Sequence, residues 1–358
     1  MFWKRKKYQP SGSLNAIAWR KLLSNPMAKY SFLGIFIFVF FAISGYLLTP
    51  DSSPYANQQI LEISNQKPGF KVQMIEFRRN EIIESKNMLS KMLFGQRNKY
   101  QEIPIDSFHY NNQYVVYNLF DDKVDTLKIN IADILFPLGG KPVFDKEKQI
   151  ISYSNISNES KLISLKDARE LFENHNIKNR FYLLGTEQFG RDLLSRLIIG
   201  SRVSLSVGFI SVAISLLVGI FLGSLAGFFG GKLDEIIMWF INVVWSIPTL
   251  LLVIAITFAL GKGFWQVFIA VGLTMWVEVA RVVRGQIMSL KEKEFVEAGF
   301  ALGFSNFRII KNHILPNVMS PVIVISAANF ATAILIEAGL SFLGIGVQPP
   351  MPSWGSMI

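Results

Sequence analysis

Hydrophobic runs dominate the chain. Residues 30–50, 203–231, 236–261 and 314–336 carry no Asp, Glu, Lys or Arg, and each reaches the about 20 apolar residues a helix needs to cross a hydrocarbon core. A fifth run, 263–277, stops at Glu278 and resumes as VARVV. A carboxylate at the centre of a span costs roughly 2.5–3.5 kcal/mol, several times what one Leu or Phe gains there. Glu278 is therefore placed near a membrane edge, free to snorkel or to pair with Arg281 one turn on. The pattern predicts five spanning helices over about 30–50, 203–229, 236–260, 263–284 and 314–336.

A different pattern fills residues 51–182, where charge is mixed and no spanning run occurs. Segments 108–120 (FHYNNQYVVYNLF) and 126–136 (TLKINIADILF) are rich in β-branched and aromatic residues with partial alternation, and read as strands flanking a turn at Asp121, Asp122 and Lys123. In 166–175, Ala168, Leu171 and Phe172 share one helical face. At roughly 130 residues the segment is large enough for a small α+β domain with its own core.

Within the second span, Gly219, Gly223 and Gly227 recur every fourth residue, a stripe that lets another helix approach closely. Pro248 removes a backbone donor and predicts a kink in the third span.

Composition agrees with a membrane protein: 51% of residues are hydrophobic and 17% charged. The formal net charge of +10 raises nucleic acid as a partner. Its distribution argues otherwise, because Lys4, Arg5, Lys6, Lys7, Arg20, Lys21 and Lys29 precede the first span without one acid, whereas 51–196 holds 20 basic and 19 acidic residues. Basic residues beside a first span stay cytoplasmic. Residues 1–29 are thus read as a cytoplasmic tail and 30–50 as an uncleaved anchor, too long for a signal-peptide core and followed by no A-x-A site. Alternation then puts 51–182 and Lys262 outside and 286–313 inside, the latter carrying Lys291, Lys293, Arg308 and Lys311. Arg191, Arg196 and Arg202 fall on the side where basic residues are usually scarce.

Several chemistries are excluded. With no cysteine there is no disulfide, thiol nucleophile or thiolate metal site. The nearest approach to a phosphate-cradling G-x-x-x-x-G-K-[ST] loop, AGFFGGKL, has Ala226 for the first glycine and Leu233 for the hydroxyl residue. His109, His175 and His313 lack metal-ligand spacing, and no serine stands in a G-x-S-x-G setting. No metal, cofactor or catalytic residue is expected. Asn155-Ile-Ser157 and Asn158-Glu-Ser160 are formal glycosylation sequons of a kind frequent by chance.

Between two apolar runs, 290–317 reads as two short helices broken around Gly303–Asn306, small in the middle (Ala298, Gly299, Ala301, Gly303) and apolar at Phe295, Leu302 and Phe304. Such a surface suits insertion into a groove on another protein. The order Glu297-Ala298-Gly299, three residues, Gly303, nine residues, then His313-Ile314-Leu315-Pro316 resembles the EAA loop of permease subunits of ATP-binding-cassette importers, and His313 resembles the peptide and nickel branch. Gly299 stands where alanine is usual. LLGTEQFGRDLLSRLIIGSRVSL (183–205), GGKLDEIIMWFINVVWSIPTLLL (230–252) and EAGLSFLGIGVQPPMPSWGSM (337–357) are similar to further stretches of those subunits, of the type with the longer connection between first and second spans.

That resemblance implies an all-α polytopic membrane protein with the type I importer permease fold; the α+β domain read over 51–182 is an extracytoplasmic insert between the first two spans, longer than most relatives carry. It implies a bacterial inner-membrane location and partners of four kinds: a second permease, two ATPase subunits, an extracytoplasmic solute-binding protein and lipid. Nucleic acid is not among them, and ATP hydrolysis belongs to other chains. The cargo would be a peptide, or nickel or another small solute. Glu297, Ala298, Gly299, Leu302, Gly303, His313, Leu315 and Pro316 would form the ATPase-coupling loop, with Glu278 and Glu337 as candidate intramembrane polar groups. Relatives have one more spanning helix after the WGSM segment, so 337–358 reads as a re-entrant or loop segment of a sequence lacking the last span. A membrane-anchored receptor sensing through 51–180 is the rival from another class.

Overall fold

The structure, a computed structural model, describes residues 14–121, 126–157, 159–261 and 263–357. The basic cluster Lys4, Arg5, Lys6 and Lys7, the turn residues Asp122 and Lys123, the sequon residue Asn158, Lys262 and Ile358 lie outside the described residues.

Two helices, α1 (Leu14–Ser24) and α2 (Pro26–Leu48), open the chain. Asn25 caps α2, accepting from the Met27 amide at 3.0 Å, and Pro26 occupies the first turn, where its missing N–H costs nothing.

The mixed domain follows: β1 (Phe70–Arg78), α3 (Met88–Phe94), β2 (Tyr100–Asn111), β3 (Tyr114–Leu119), β4 (Thr126–Asn130), α4 (Ile131–Leu135), β5 (Val143–Asp145), β6 (Ile150–Ser154), β7 (Ser160–Ser164), α5 (Leu165–Leu171) and β8 (Ile177–Tyr182). Five strands form an antiparallel sheet in the order β4-β3-β2-β1-β8, and β5-β6-β7 form a second. Ile75, Ile105, Val115, Ile134, Ile151 and Phe172 make the core between them.

Local chemistry corrects three readings. Segment 108–120 is a hairpin rather than one strand, because Asn112 takes φ 53° and turns β2 into β3. Segment 126–136 is β4 followed by α4, where the Asn130 side chain accepts from the Ala132 amide at 3.0 Å and starts a helix that buries Ala132 and Ile134. Ala168 and Phe172 are buried as the helical face requires, but Leu171 is exposed and Leu165 takes its place in the core.

The helical half comprises α6 (Leu193–Phe229), α7 (Gly231–Ser246), α8 (Thr249–Leu260), α9 (Phe264–Lys291), α10 (Glu294–Ala301), α11 (Asn306–Ile309) and α12 (Leu315–Phe342), with a wide π-turn at Ile310–Ile314 joining the last two. Among the described residues four stretches are long and apolar enough to span a membrane: α2, α6, α9 and the run from α11 through α12. The region read as a single kinked span is two helices, α7 and α8, meeting at 96°; the pair makes a fifth span if counted as one. Ile247 is extended (φ −91°, ψ 129°), as a residue before proline prefers, and Pro248 has no N–H to continue α7, so the helix breaks where a mere kink was expected.

At 37 residues α6 is about 55 Å long, and it organises the molecule. Its first turn meets the mixed domain; its last turn meets α10. The motif TEQFGRDLLSR is the joint at the first end. Thr186 Oγ1 donates to the Ile63 carbonyl and accepts from the Gln66 amide at 2.9 Å; Gly190 has φ 68° and lies where a Cβ would strike the Ile60 carbonyl; Asp192 caps α6 through the Ser195 amide at 2.9 Å. Arg191 pairs with Glu187 and donates to Asn57 Oδ1 at 2.7 Å, and Arg196 lies 3.4 Å from Glu187. Arg202 bonds four backbone carbonyls. Arg191 and Arg202, which charge counting leaves unexplained, thus have structural partners, and Arg196 approaches the carboxylate that Arg191 holds.

Candidate functional site: an exposed apolar loop carried by α9

The loop begins where α9 ends. Glu294 and Glu297 place two acids in the first turn of α10, the charge its N-terminus favours. Gly303 stops the helix: at φ 75° it takes the left-handed conformation, its amide donates to the Phe300 carbonyl at 2.9 Å and the Phe304 amide to the Gly299 carbonyl at 3.0 Å. This pair of bonds is the Schellman termination, and it turns the chain sharply into α11. A Cβ on Gly299 would lie 3.6 Å from Phe304 and Ile309, an ordinary contact, so alanine fits where glycine stands.

Val296, Ile309 and Ile314 are fully buried against Phe228 of α6, Val283 and Ile287 of α9, and Val318 of α12. The Lys291 ammonium donates to the Phe228 carbonyl at 2.7 Å, satisfying an acceptor at the C-terminal end of α6. Phe304, read as an outward anchor, instead stacks on His313 with centroids 5.6 Å apart, under the Arg308 guanidinium at 4.1 Å. His313 is thereby the ring that ties the π-turn to the break after α10. Leu315 and Pro316 open α12, the proline in its first turn. Four large apolar side chains do face outward: Phe295 and Phe300, each over 40% exposed, and Leu302 and Phe307, each 71% exposed, with Glu297 and Ala298 beside them. Phe300 and Phe307 escaped the sequence reading because helix register across the break decides which phenylalanines point out.

Behind the loop, α9 is held along its length. A Cβ on Gly219 would meet the Trp276 carbonyl at 2.8 Å, on Gly223 the Ala280 carbonyl at 2.5 Å, and on Gly227 the Arg284 carbonyl at 2.8 Å. Three glycines on α6 therefore face three positions four apart on α9, backbone against backbone. Asp234 of α7 receives both arms of Arg284, at 2.5 and 2.6 Å. Arg281 lies 3.5 Å over the Trp245 ring and donates to Asn242, while Glu278 is exposed, so of the two alternatives for Glu278 the pair with Arg281 does not form. The ring face and amide of α7 outcompete a carboxylate on the same helix.

Glu337 is fully buried. The Ser341 hydroxyl donates to it at 2.6 Å and accepts from the Val347 amide at 3.1 Å; Ser353 lies 3.4 Å from Ser341. Trp354 donates from its ring to the Leu197 carbonyl at 3.1 Å and from its backbone to Ser204 at 3.2 Å. The segment 343–357 is thus folded back against α12 and α6, with Glu337 at the knot. No group of three His, Asp or Glu among the described residues is arranged to hold a metal ion.

Comparison with known proteins finds two family matches. The family described as binding-protein-dependent transport system inner membrane component matches residues 219–358, and the N-terminal TM domain of oligopeptide transport permease C matches residues 13–68. The oligopeptide transport system permease protein OppC of Bacillus subtilis (strain 168) is 42% identical over 173 residues, covering 48% of this chain and 57% of that protein. OppC of Haemophilus influenzae is 43% identical, covering 50% of this chain and 57% of its own length. The dipeptide transport system permease protein DppC of Alkalihalophilus pseudofirmus is 43% identical, covering 49% and 57%. The matched stretch thus spans less than two thirds of each relative. Both matched stretches, 219–358 and 13–68, are thus similar to components of binding-protein-dependent importers, the family that the motif from Glu297 to Pro316 also resembles.

Proposed function

We propose that this chain is the transmembrane permease subunit of an ATP-driven importer in a bacterial inner membrane, forming half of a pathway for peptides. It pairs with a second permease, receives cargo from an extracytoplasmic solute-binding protein and is driven by two ATPase subunits that dock on Phe295–Phe307. Nickel or another small solute is the second reading of the cargo, since the same motif serves both.

The observation that carries the proposal is the loop itself. Phe295, Phe300, Leu302 and Phe307 are exposed on a segment whose other side is fixed to α6, α9 and α12. A solvated connector has no use for four such side chains, whereas a plug for a groove needs them. Force on the plug passes to helices that cannot bend independently, because α6 and α9 touch through their backbones. Closure of the ATPases would then bias one arrangement of the pair over another, the differential contact that any ligand-driven switch requires. The mixed domain sits at the opposite end of α6 from the plug, which supports the cytoplasmic N-terminus and the extracytoplasmic 51–182.

Gly303 gives the test. At φ 75° a Cβ is strained by about 1–2 kcal/mol, and nothing lies within 4 Å of it, so the strain is conformational rather than steric. Gly303→Asp is expected to insert normally while ATP hydrolysis and uptake separate; Gly303→Asn, which tolerates the left-handed region better, is expected to retain more coupling. Normal uptake by Gly303→Asp would overturn the reading, as would purified chain from which no ATPase subunit co-purifies.

A further inference from the structure

We propose that segment 82–94 of the mixed domain lies in the interfacial layer of the bilayer leaflet nearest that domain, with lipid covering the free face of α3. The inference rests on α2 and α6 being membrane spans.

The position of α3 is fixed by one side chain. The Arg202 guanidinium, on α6, donates to the carbonyls of Ala42 and Ile43 on α2, the second at 2.6 Å, and to those of Met92 and Leu93 on α3 at 2.6 and 2.7 Å. It also lies 4.7 Å over the Tyr46 ring. Just beyond α3 the Gln96 amide donates to the Ser52 carbonyl at 2.9 Å, and a Cβ on Gly95 would be 2.8 Å from that same oxygen and 2.9 Å from the Tyr46 ring, so the end of α3 is packed against α2 and the loop that follows it.

This pinning sets a depth. The backbone at 92–93 is level with 42–43, five to six residues before α2 ends at Leu48. At 1.5 Å per residue that is about 8 Å inside the end of the span. Helices that lie in the membrane surface sit about 5–10 Å into the boundary between headgroups and acyl chains.

The free face has the matching chemistry. Met88, Leu89, Leu93 and Phe94 are 73%, 70%, 51% and 64% exposed, and Ile82 just upstream is 79% exposed. Lys86 turns back to donate to the Gly95 carbonyl at 3.1 Å, capping α3. Burying each such apolar side chain is favourable, a gain forgone if the face stood in water. On α2, beside which α3 packs, Phe40, Ile43 and Leu47 are exposed as well, and the apolar run of α3 ends at Gly95, after which Gln96, Arg97 and Asn98 are polar. A protein partner of the mixed domain would meet apolar surface extending away from the membrane; here it stops at the membrane edge.

The chain has no cysteine, so single cysteines label cleanly. Nitroxides at Leu89→Cys, Leu93→Cys, Leu33→Cys on α2 and Leu162→Cys on β7 are compared in the full chain, reconstituted in phosphatidylcholine–phosphatidylglycerol vesicles, for collision with oxygen and with a water-soluble nickel complex. The expected oxygen-over-nickel ratio at Leu89 and Leu93 is severalfold above that at Leu162 and close to that at Leu33. A ratio at both equal to that at Leu162, with Leu33 still in lipid, overturns the inference alone. Water-like behaviour at Leu33 overturns the spanning reading together with it. Shielding of Leu89 from both agents on adding a second permease would mean that protein, not lipid, occupies the face, and would equally overturn it.

Discussion

Replacing Gly223 with alanine tests the helix seam directly. A Cβ there would stand 2.5 Å from the Ala280 carbonyl oxygen, 2.9 Å from Val283 Cβ and 3.1 Å from Ala280 Cα. None of these is the flexible end of a side chain. Ordinary contact begins at 3.4 Å, so α6 and α9 must part by up to 0.9 Å at this point. Forced overpacking costs about 1–3 kcal/mol. Alanine returns only about 0.5–1 kcal/mol of helix propensity over glycine. The balance of these two ranges is a net loss of up to about 2.5 kcal/mol, centred slightly above 1 kcal/mol.

Gly34 on α2 supplies the control, because nothing lies within 4 Å of its would-be Cβ and only the propensity gain remains. Thermal denaturation of the purified chain in detergent, followed by helical circular dichroism, should show Gly34→Ala raising the midpoint and Gly223→Ala lowering it. If both substitutions raise the midpoint, the close approach of α6 to α9 is wrong. The proposed coupling of the α10–α11 loop to α6 would then lose its basis, since it needs the two backbones in contact.

Asp234→Asn removes one charge of a two-armed pair that is only partly exposed, and is expected to cost about 1.5–3 kcal/mol in the same assay, the range for hydrogen bonds to charged groups; a change within 0.5 kcal/mol would mark the pair as an ordinary surface bridge. Ser341→Ala strips the hydroxyl partner from the Glu337 carboxyl while leaving that group buried, whereas Glu337→Gln keeps an acceptor in place, so the serine variant should be the less stable of the two; the reverse order would show that Glu337 serves something other than the knot. In the mixed domain burial pushes the Glu76 carboxyl up from 4.5, and the Asp192 carboxyl, beside the joint with α6, up from 3.8. Each binds its proton more tightly folded than unfolded, so their contribution is fully present below those ordinary values and is lost as pH rises through the raised ones. The midpoint of the β-sheet signal should accordingly be higher at pH 5 than at pH 7, with Glu76→Gln flattening the difference, and a flat profile in the parent chain would refute the sign.

What the sequence made legible follows from the range of the interactions involved. The break between α10 and α11 was readable because its determinants are local: the Schellman bonds join residues three and five apart, Gly303 supplies the left-handed turn, and Glu294 and Glu297 mark the helix start. The glycine stripe was readable as a packing face, yet its partner was not, since nothing in 219–227 names Trp276, Ala280 and Arg284 across the fold. Local chemistry was also misread where one residue overrides a run. Asn112 and Asn130 each carry a turn or cap that splits a β-rich segment, although propensity summed over ten residues favours a single strand. The arginines show the opposite failure. Charge counting puts Arg191, Arg196 and Arg202 on the unfavoured side, yet Arg191 pairs with Glu187, Arg196 lies 3.4 Å from that same carboxylate, and Arg202 is held by carbonyls up to 160 residues away. A cation held inside the fold has structural partners to satisfy, and its place is set by the fold it stabilises rather than by the membrane potential or the translocation machinery. A count of charges toward orientation therefore rests on lysines and arginines that remain solvated, such as Arg20 and Lys29 before α2, and leaves out the three buried or half-buried arginines.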